Sequence, residues 1–549
     1  MEGPLMNRRR SFLKRAGSAA AGSLLFPGRA PAIVVSEAAR PKAAHGTMAG
    51  DVTGDRAVVW SRSDRAARMV VEWSTRESFA DARRVLGPTA TAETGFTARL
   101  DLAGLPPGQT VFYRVVFEDP TDGGVRSLPA VGRFRSAPSL GEDVRALPVR
   151  AAAPSPRLAG RGVRIAWGAD TVGQGFGIDV SRGGLRTYES MRRAEPDLFV
   201  HCGDTIYADN PLSETLALDD GTVWRNLVTE AKSKVAETLD EFRGNHLYNL
   251  LDEHVLRFNS EVAQVVLWDD HEVLNNWYPG ERLSDPRYRE TDVTLLAARA
   301  RRAFLEHTPI RAEAGGHGRI YRSIPYGPLV EVFAIDMRSY RGANSPNRQA
   351  RAAADSAILG RAQLDWLKVG LASSRALWKV VASDMPIGLV VRDGPTDFEA
   401  VANGDPGAPL GRELEIAELL ASLRAARVRN VVWITGDVHY AAAHHYHPER
   451  AAFRDFDPFW EFVAGPLHAG TFGPAALDAS FGPKLEFLGI PEGMKPNRPP
   501  SEGLQFFGTL DVDPGGVMTV RLHDREGRVV HSVELPPAAE IGRPLAEPA

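Results

Sequence analysis

Apolar residues recur along the 549-residue chain in rhythms that change with position. Between residues 45 and 137 they come in short runs, at 56–60, 69–73, 97–102, 111–117 and 130–134. Turn-forming residues separate the runs, so the segment is predicted to be a β-sandwich of short strands. Residues 138–162 are rich in Pro, Ala, Ser and Arg, carry little periodicity and read as a linker. From 163 to 535 short apolar strands alternate with stretches of helical period at 184–194, 291–306, 362–372 and 413–425. Such alternation predicts an α/β sheet domain. Three closing runs, 506–512, 517–523 and 529–535, with a Pro514-Gly515-Gly516 turn between the first two, predict a β meander, and 536–549 read as a tail. Residues 210–260 show no clear period and are read as a helical insertion over the site, and no internal repeat is found.

Composition trims the function classes. Hydrophobic residues make up 43% and charged residues 24%, which excludes a disordered or collagen-like chain. The length fits two or three domains, or one large domain with an appendage. Net charge is −4, and the 57 Arg against 8 Lys form no basic block, so no nucleic acid partner is indicated. One cysteine, Cys202, excludes a disulfide framework and a Cys-x-x-Cys zinc site, and it reads as a small buried hydrophobe.

Two local resemblances add to this. Arg9-Arg10-Ser11-Phe12-Leu13-Lys14, the small and apolar stretch 16–26 and Ala30-Pro31-Ala32 resemble a twin-arginine export signal, so 1–32 are read as a signal peptide. That segment holds six basic side chains and one acidic, which leaves the rest of the chain at −9. The resemblance implies the twin-arginine export machinery as a partner, a periplasmic or extracellular destination, and folding with a metal or cofactor before export. No other apolar run reaches the roughly 20 residues of a membrane-spanning helix. Leu105-Pro106-Pro107-Gly108-Gln109-Thr110-Val111-Phe112-Tyr113 resembles the fibronectin type III signature, and no chemistry is seen in that domain.

The chemistry lies at strand ends. Strand 163–167 is followed by Asp170, strand 197–201 by Asp204, and strand 265–268 by Asp269-Asp270-His271-Glu272. Strand 378–382 is followed by Asp384, and strand 430–434 by Gly436-Asp437-Val438-His439. In open α/β sheets ligands bind outside the carboxyl ends of the strands. One such Asp is an ordinary helix cap or turn residue. Five strand ends in succession are better explained by metal ions, because clustered buried carboxylates repel one another unless positive charge sits between them.

Gly203-Asp204-Thr205-Ile206-Tyr207, Trp268-Asp269-Asp270-His271-Glu272-Val273-Leu274-Asn275-Asn276-Trp277 and Gly436-Asp437-Val438-His439 resemble the PhoD-type alkaline phosphatase/phosphodiesterase family, part of the metallophosphoesterase superfamily. Ile335-Asp336-Met337-Arg338-Ser339-Tyr340-Arg341 and Phe462-Val463-Ala464-Gly465-Pro466 match its style, and the resemblance covers roughly 45–535. It implies an α/β fold: a metallophosphoesterase-type β-sandwich core flanked by helices, preceded by a fibronectin type III-like β-sandwich domain. It also implies two metals. Asp170, Asp204, Tyr207 and His439 would hold the first, a hard anionic donor set suited to Fe³⁺. Asp204, Asp270, Asp384 and Asp437 would hold the second, an all-oxygen set suited to Ca²⁺. Asp269 either supports Asp270 or exchanges roles with it. PhoD relatives often carry Cys where Asp170 stands, so Zn²⁺ or Mn²⁺ stays open at the first site.

The implied activity is hydrolysis of phosphate monoesters or diesters, small-molecule or lipid, by a metal-activated hydroxide, with Asp204 central to it. His271 is assigned to leaving-group protonation or transition-state stabilisation. Asn275, Arg338 and Arg341 are further candidates, and Arg338 either clamps phosphate or pairs with Asp336. Tyr340 reads as packing, and His444, His445 and His447 as a solvated loop. The competing readings are a phospholipase D-like phosphodiesterase and a noncatalytic cell-surface binding protein. The complete ligand set argues against the second.

Overall fold

A computed structural model describes residues 37–139, 162–311 and 318–538. The export-signal segment 1–32, nearly all of the linker and residues 539–549 of the tail lie outside the described residues. Residues 37–40, with a 3-10 turn over Glu37–Ala39, belong to a unit of their own, and the chain from Pro41 onward forms the second unit, which holds every strand and α-helix of the described residues.

The first seven strands are β1 (Thr47–Gly50), β2 (Arg56–Arg62), β3 (Ala67–Ser74), β4 (Arg83–Ala90), β5 (Thr97–Ala103), β6 (Thr110–Glu118) and β7 (Ala130–Arg135). Along β6 the buried Val111, Tyr113, Val115 and Phe117 alternate with the more exposed Phe112, Arg114 and Val116, the period-two pattern of a half-buried strand. β4-β3-β6-β7 form a four-stranded antiparallel sheet, and β1, β2 and β5 pair separately. The sequence pattern does not single out β1 and β4: β1 is four residues long, and β4 is largely exposed.

The α/β portion contributes β8 (Val163–Gly168), β9 (Leu198–Cys202) and β10 (Ala263–Leu267). It continues with β11 (Arg322–Tyr326), β12 (Val330–Ala334), β13 (Trp378–Ala382), β14 (Val431–Thr435), β15 (Ala442–Tyr446), β16 (Phe459–Val463) and β17 (Pro483–Leu488). It closes with β18 (Phe506–Val512), β19 (Met518–Asp524) and β20 (Val529–Leu535). One nine-stranded sheet runs β20-β19-β18-β8-β9-β10-β1-β2-β5, and a seven-stranded sheet runs β11-β12-β13-β14-β16-β15-β17. β8, β9 and β10 are parallel, as are β12, β13, β14 and β16.

The two large sheets bury their inner faces against each other. Ile165, Val200, Cys202, Val265 and Leu267 belong to the same apolar core as Val332, Val380, Val432 and Ile434. The alternate positions face helices. Ala166 and Phe199 pack with α1 (Arg186–Arg193) and α3 (Glu253–Glu261), through Tyr188, Met191 and Phe258. Val266 packs with α2 (Leu239–Asn249) and α4 (Val293–His307). Phe333, Val381 and Trp433 pack with α5 (Arg361–Ser373) and α6 (Glu413–Ala425). Both faces of each parallel strand are therefore dry, which is why these strands read as near-continuous apolar runs. Cys202 is free and buried in this core, its thiol 3.9 Å from the Ile434 carbonyl.

Three findings depart from the sequence reading. The segment 210–260 holds a hairpin, Thr215–Ala217 with Val223–Arg225, before α2 and α3. His444 and His445 sit on β15 rather than in a solvated loop: His444 is buried 3.3 Å from Glu461, and His445 stacks on Trp460. The amino-terminal strands join the α/β sheet directly, since β1 runs parallel to β10 with Gly50 opposite Gln264. Beside that seam Arg322 holds Asp51 through Nε (3.0 Å) and Nη2 (2.8 Å), and donates to the Val266 carbonyl.

Behind the first sheet, His201, His246 and His307 line a cavity of about 80 Å³. The His246 and His307 rings stack at 5.4 Å, and His201 Nδ1, His246 Nε2 and His307 Nε2 are buried without partners. Burial keeps all three neutral: His201 is held down at about 3, His307 at about 4, and His246 well below the usual imidazole range. Arg62 and Arg243 oppose protonation of His307, and Glu306 favours it. An unfolded imidazole takes its proton near pH 6.5, so the stability these groups contribute is complete above that pH and falls as pH drops toward 4. Each buried His should cost about 1.4 kcal/mol of stability per pH unit across that window. Urea unfolding of wild type and His307→Phe between pH 6.5 and 4.5 checks this, and the variant should show a slope shallower by about one proton.

Candidate metal centre

The loops after β8, β9, β10, β13 and β14 meet at one edge of the sandwich. Asp170, Asp204, Asp437 and His439 all lie in the left-handed region, with φ of 66°, 52°, 67° and 60°. Non-glycine residues adopt that region rarely and at a cost, so neighbouring contacts must enforce it. They do: Asp170 N–H donates to the Gly203 carbonyl at 3.4 Å, Thr171 N–H to Asp204 at 2.9 Å and Gly436 N–H to Asp384 at 2.9 Å. Gly203 has φ 104°, and a Cβ there would meet Asp269 Cβ at 2.5 Å, so only glycine lets these loops touch.

Asp170, Asp204 and His439 bring ligand atoms within 4.8 Å of one another. Tyr207 Oη lies 2.8 Å from His439 Nε2, and Asp170 Oδ1 lies 3.8 Å from it. His439 Nδ1–H donates to the Gly470 carbonyl, so Nε2 carries the lone pair and accepts from Tyr207 Oη–H. Burial holds His439 at about 4, so the imidazole is neutral, the form that ligates metal. Both Asp170 oxygens are buried without a hydrogen-bond partner. Burial, then Asp269 and Asp270, drive its carboxyl well above the usual range. Burial and the Asp204 and Asp170 charges raise the Tyr207 phenol likewise. Two orphaned oxygens beside a carboxylate, a phenol and an imidazole lone pair fit a metal ion and little else.

Two further groups adjoin the first, Asp204 with Asp270 and His271, and Asp269 with Asp270 and Asp437. Asp204 and Asp270 each belong to two groups, so the three positions form a chain of shared carboxylates. Asp384 belongs to none of the three groups. It accepts from Met385 N–H at 2.7 Å, and its Oδ2 has no hydrogen-bond partner.

His271 stacks on Tyr207 at 4.2 Å, and its Nδ1 lies 2.7 Å from Asp209 Oδ1. Burial opposes a charge on this ring, but Asp209 and Asp270 outweigh it and hold His271 at about 9. Asp209 and Asp270 thus favour the protonated ring. Asn275 lies beside it with an exposed side chain, and its backbone N–H donates to Asp209 Oδ2 at 3.0 Å. Glu272 ties two strand ends together, accepting from Asp204 N–H (3.2 Å) and Asp269 N–H (2.7 Å) through one oxygen and from Thr205 through the other.

Arg338 is fully buried, and its guanidinium is spent on carboxylates. Nε donates to Asp269, Nη1 to Glu399 at 2.7 Å and Nη2 to Asp437 at 3.4 Å. Asp336, the alternative partner read from sequence, instead accepts from Trp268 Nε1 and from the backbone of Arg338 and Ser339. Arg341 is also buried, donating to Asn344 and the Glu399 carbonyl, while Tyr340 is 40% exposed. Sequence reasoning missed Asp209, Glu272 and Glu399. Asp209 lies five residues past Asp204 and Glu272 closes the Trp-Asp-Asp-His-Glu block, so both stood within reach of a motif, whereas Glu399 carries no local signal.

Among the described residues no helix is long and apolar enough to cross a membrane. Residues 165–520 match the model of the PhoD-like phosphatases, and residues 28–138 match that of their N-terminal domain. The chain is 25% identical over 455 residues to alkaline phosphatase D of Bacillus subtilis (strain 168), covering 78% of this chain and 70% of that protein. The solved structure of PhoD superposes with a TM-score of 0.64 at 20% identity, covering 91% of this chain and 94% of that one. A purple acid phosphatase from yellow lupin superposes with a TM-score of 0.52 at 14% identity, covering 90% and 73%. The chain belongs to the PhoD-like phosphatase family.

Proposed function

We propose that the chain is a metal-dependent phosphoesterase that cleaves phosphate monoesters, diesters or both. One observation carries this: the two partnerless, buried oxygens of Asp170 beside Asp204, Tyr207 and His439, whose ligand atoms converge there. Asp170, Asp204, Tyr207 and His439 would hold one metal, and Asp204, Asp269, Asp270 and Asp437 offer an all-oxygen set beside it. Bound metals would supply Lewis-acid activation of water and phosphate. The hard phenolate and carboxylate donors favour Fe³⁺ at the first position, and the oxygen-only donors favour Ca²⁺ at the second, with Zn²⁺ or Mn²⁺ as alternatives. His271, held protonated by Asp209, is positioned to donate a proton to the leaving oxygen. The name of the Bacillus relative supports the phosphatase reading. The pattern at residues 9–14 supports export by the twin-arginine pathway to the periplasm or beyond. The three-plus-four strand arrangement of β1–β7 supports a fibronectin type III-like amino-terminal segment.

Turnover of p-nitrophenyl phosphate and bis-p-nitrophenyl phosphate, before and after chelation, tests the reading. Activity should vanish on metal removal and return on readdition. Asp204→Asn should lose both bound metal and at least about 1,000-fold in rate, since it belongs to two ligand groups. A variant with full metal and full rate would overturn the scheme. Asp209→Asn should lower kcat by about 10- to 100-fold. It should also move the alkaline limb of the rate profile to lower pH, because removing that carboxylate lets His271 release its proton earlier. An unshifted limb would remove Asp209 from the proton-holding role.

A further inference from the structure

The guanidinium of Arg338 sits at the focus of five carboxylates. Besides its bonds to Asp269, Glu399 and Asp437, it lies 3.6 Å from Asp270 Oδ1 and 3.8 Å from Asp384 Oδ2. It enters the cluster from the loop after β12, the strand hydrogen-bonded to β13, whose end carries Asp384. Its backbone is pinned, because Arg338 N–H donates to Asp336, which Trp268 and Ser339 also hold. No part of the side chain reaches solvent. A phosphate clamp must present free nitrogens to an incoming anion, and every Arg338 nitrogen faces a carboxylate of the chain itself.

We propose that Arg338 is a built-in cation that stands in for a metal ion at Asp384, so that Asp384 is an arginine partner and not a metal ligand. The inference rests on the metal-dependent reading above. Two observations carry it. Asp384 is absent from all three groups whose ligand atoms converge, although Asp204, Asp269, Asp270 and Asp437 are in them. Its outward oxygen, Oδ2, is the one that faces the guanidinium. A hard cation binds a carboxylate oxygen at about 2.0–2.6 Å. Asp269, Asp270 and Asp437 also approach the guanidinium but converge with other ligand atoms, whereas Asp384 has no such companions and faces only a fixed positive charge that cannot deprotonate. Asp384 and Glu399 thus line the arginine-filled end of the cluster. Asp170, Asp204 and His439 form the opposite end, and Asp269, Asp270 and Asp437 lie between.

The test compares metal content per chain, by elemental mass spectrometry after loading with iron and calcium, in wild type, Asp384→Asn, Arg338→Lys and Arg338→Met. Calcium affinity of the metal-free proteins is measured alongside by titration calorimetry. Asp384→Asn should keep the wild-type number of metals, with calcium affinity within about threefold. Arg338→Lys, which keeps the charge, should also keep the number. Arg338→Met should take up one additional divalent cation. If that variant does not fold, the nearly isosteric Asp384→Asn decides alone. Loss of one metal per chain, or a calcium affinity at least about 100-fold weaker, in Asp384→Asn would make Asp384 a ligand and overturn the inference while leaving the phosphoesterase reading standing. A wild-type chain that takes up no metal would overturn both.

Discussion

Like charges packed together out of water set the terms for this molecule. Asp170, Asp204, Asp209, Asp269, Asp270, Glu272, Asp384 and Glu399 are buried at one edge of a two-sheet sandwich. Two unit charges 4 Å apart repel by about 4 kcal/mol at the effective dielectric of a protein site. A cluster of this size would disperse or take up protons unless positive charge were interleaved. Hydrogen bonds to backbone N–H groups account for Glu272 and part of Asp204 and Asp270. The Asp170 oxygens have no such partner. The left-handed turns at Asp170, Asp204, Asp437 and His439 add backbone strain to the repulsion. Both are tolerable in a protein that is complete only when cations are bound.

Positive charge reaches the cluster in different forms. His271 supplies a charge conditional on pH, sustained by Asp209. Arg338 supplies one that no accessible pH removes. Metals supply the rest, where oxygens remain unclaimed. Permanent charge holds the carboxylates around Arg338 in place, and the oxygens of Asp170 at the other end stay free to take a cation.

Much of this was readable from local pattern. Apolar runs of five or so residues, each ending in Asp within a few positions, mark parallel strands buried on both faces, and the strand ends place Asp170, Asp204, Asp270 and Asp437 together. Cys202 reads correctly as a core residue because it falls on the inward phase of β9. What escaped depends on contacts distant in sequence. Glu399 matters only because Arg338, 61 residues earlier, folds against it. α2 lacks a clear period because its buried face includes polar residues, among them Arg243, Asn245 and His246. The histidines of β15 look like a solvated loop until β16 is laid beside them.

The parallel seam between β1 and β10 gives the amino-terminal segment a second meaning. Its first strand shares a sheet with the α/β portion. It completes a sheet whose next strand carries Asp269 and Asp270 on its outgoing loop, with Asp51 and Arg322 clasped across the join. A chain shortened to begin after that segment would strip β10 of its partner at Gln264 and leave Arg322 buried without Asp51. The buried Arg322 guanidinium would then face the end of β10 with its charge uncompensated, so this short strand, through the carboxylate that follows it, neutralises a cation that the rest of the chain leaves exposed to the apolar core.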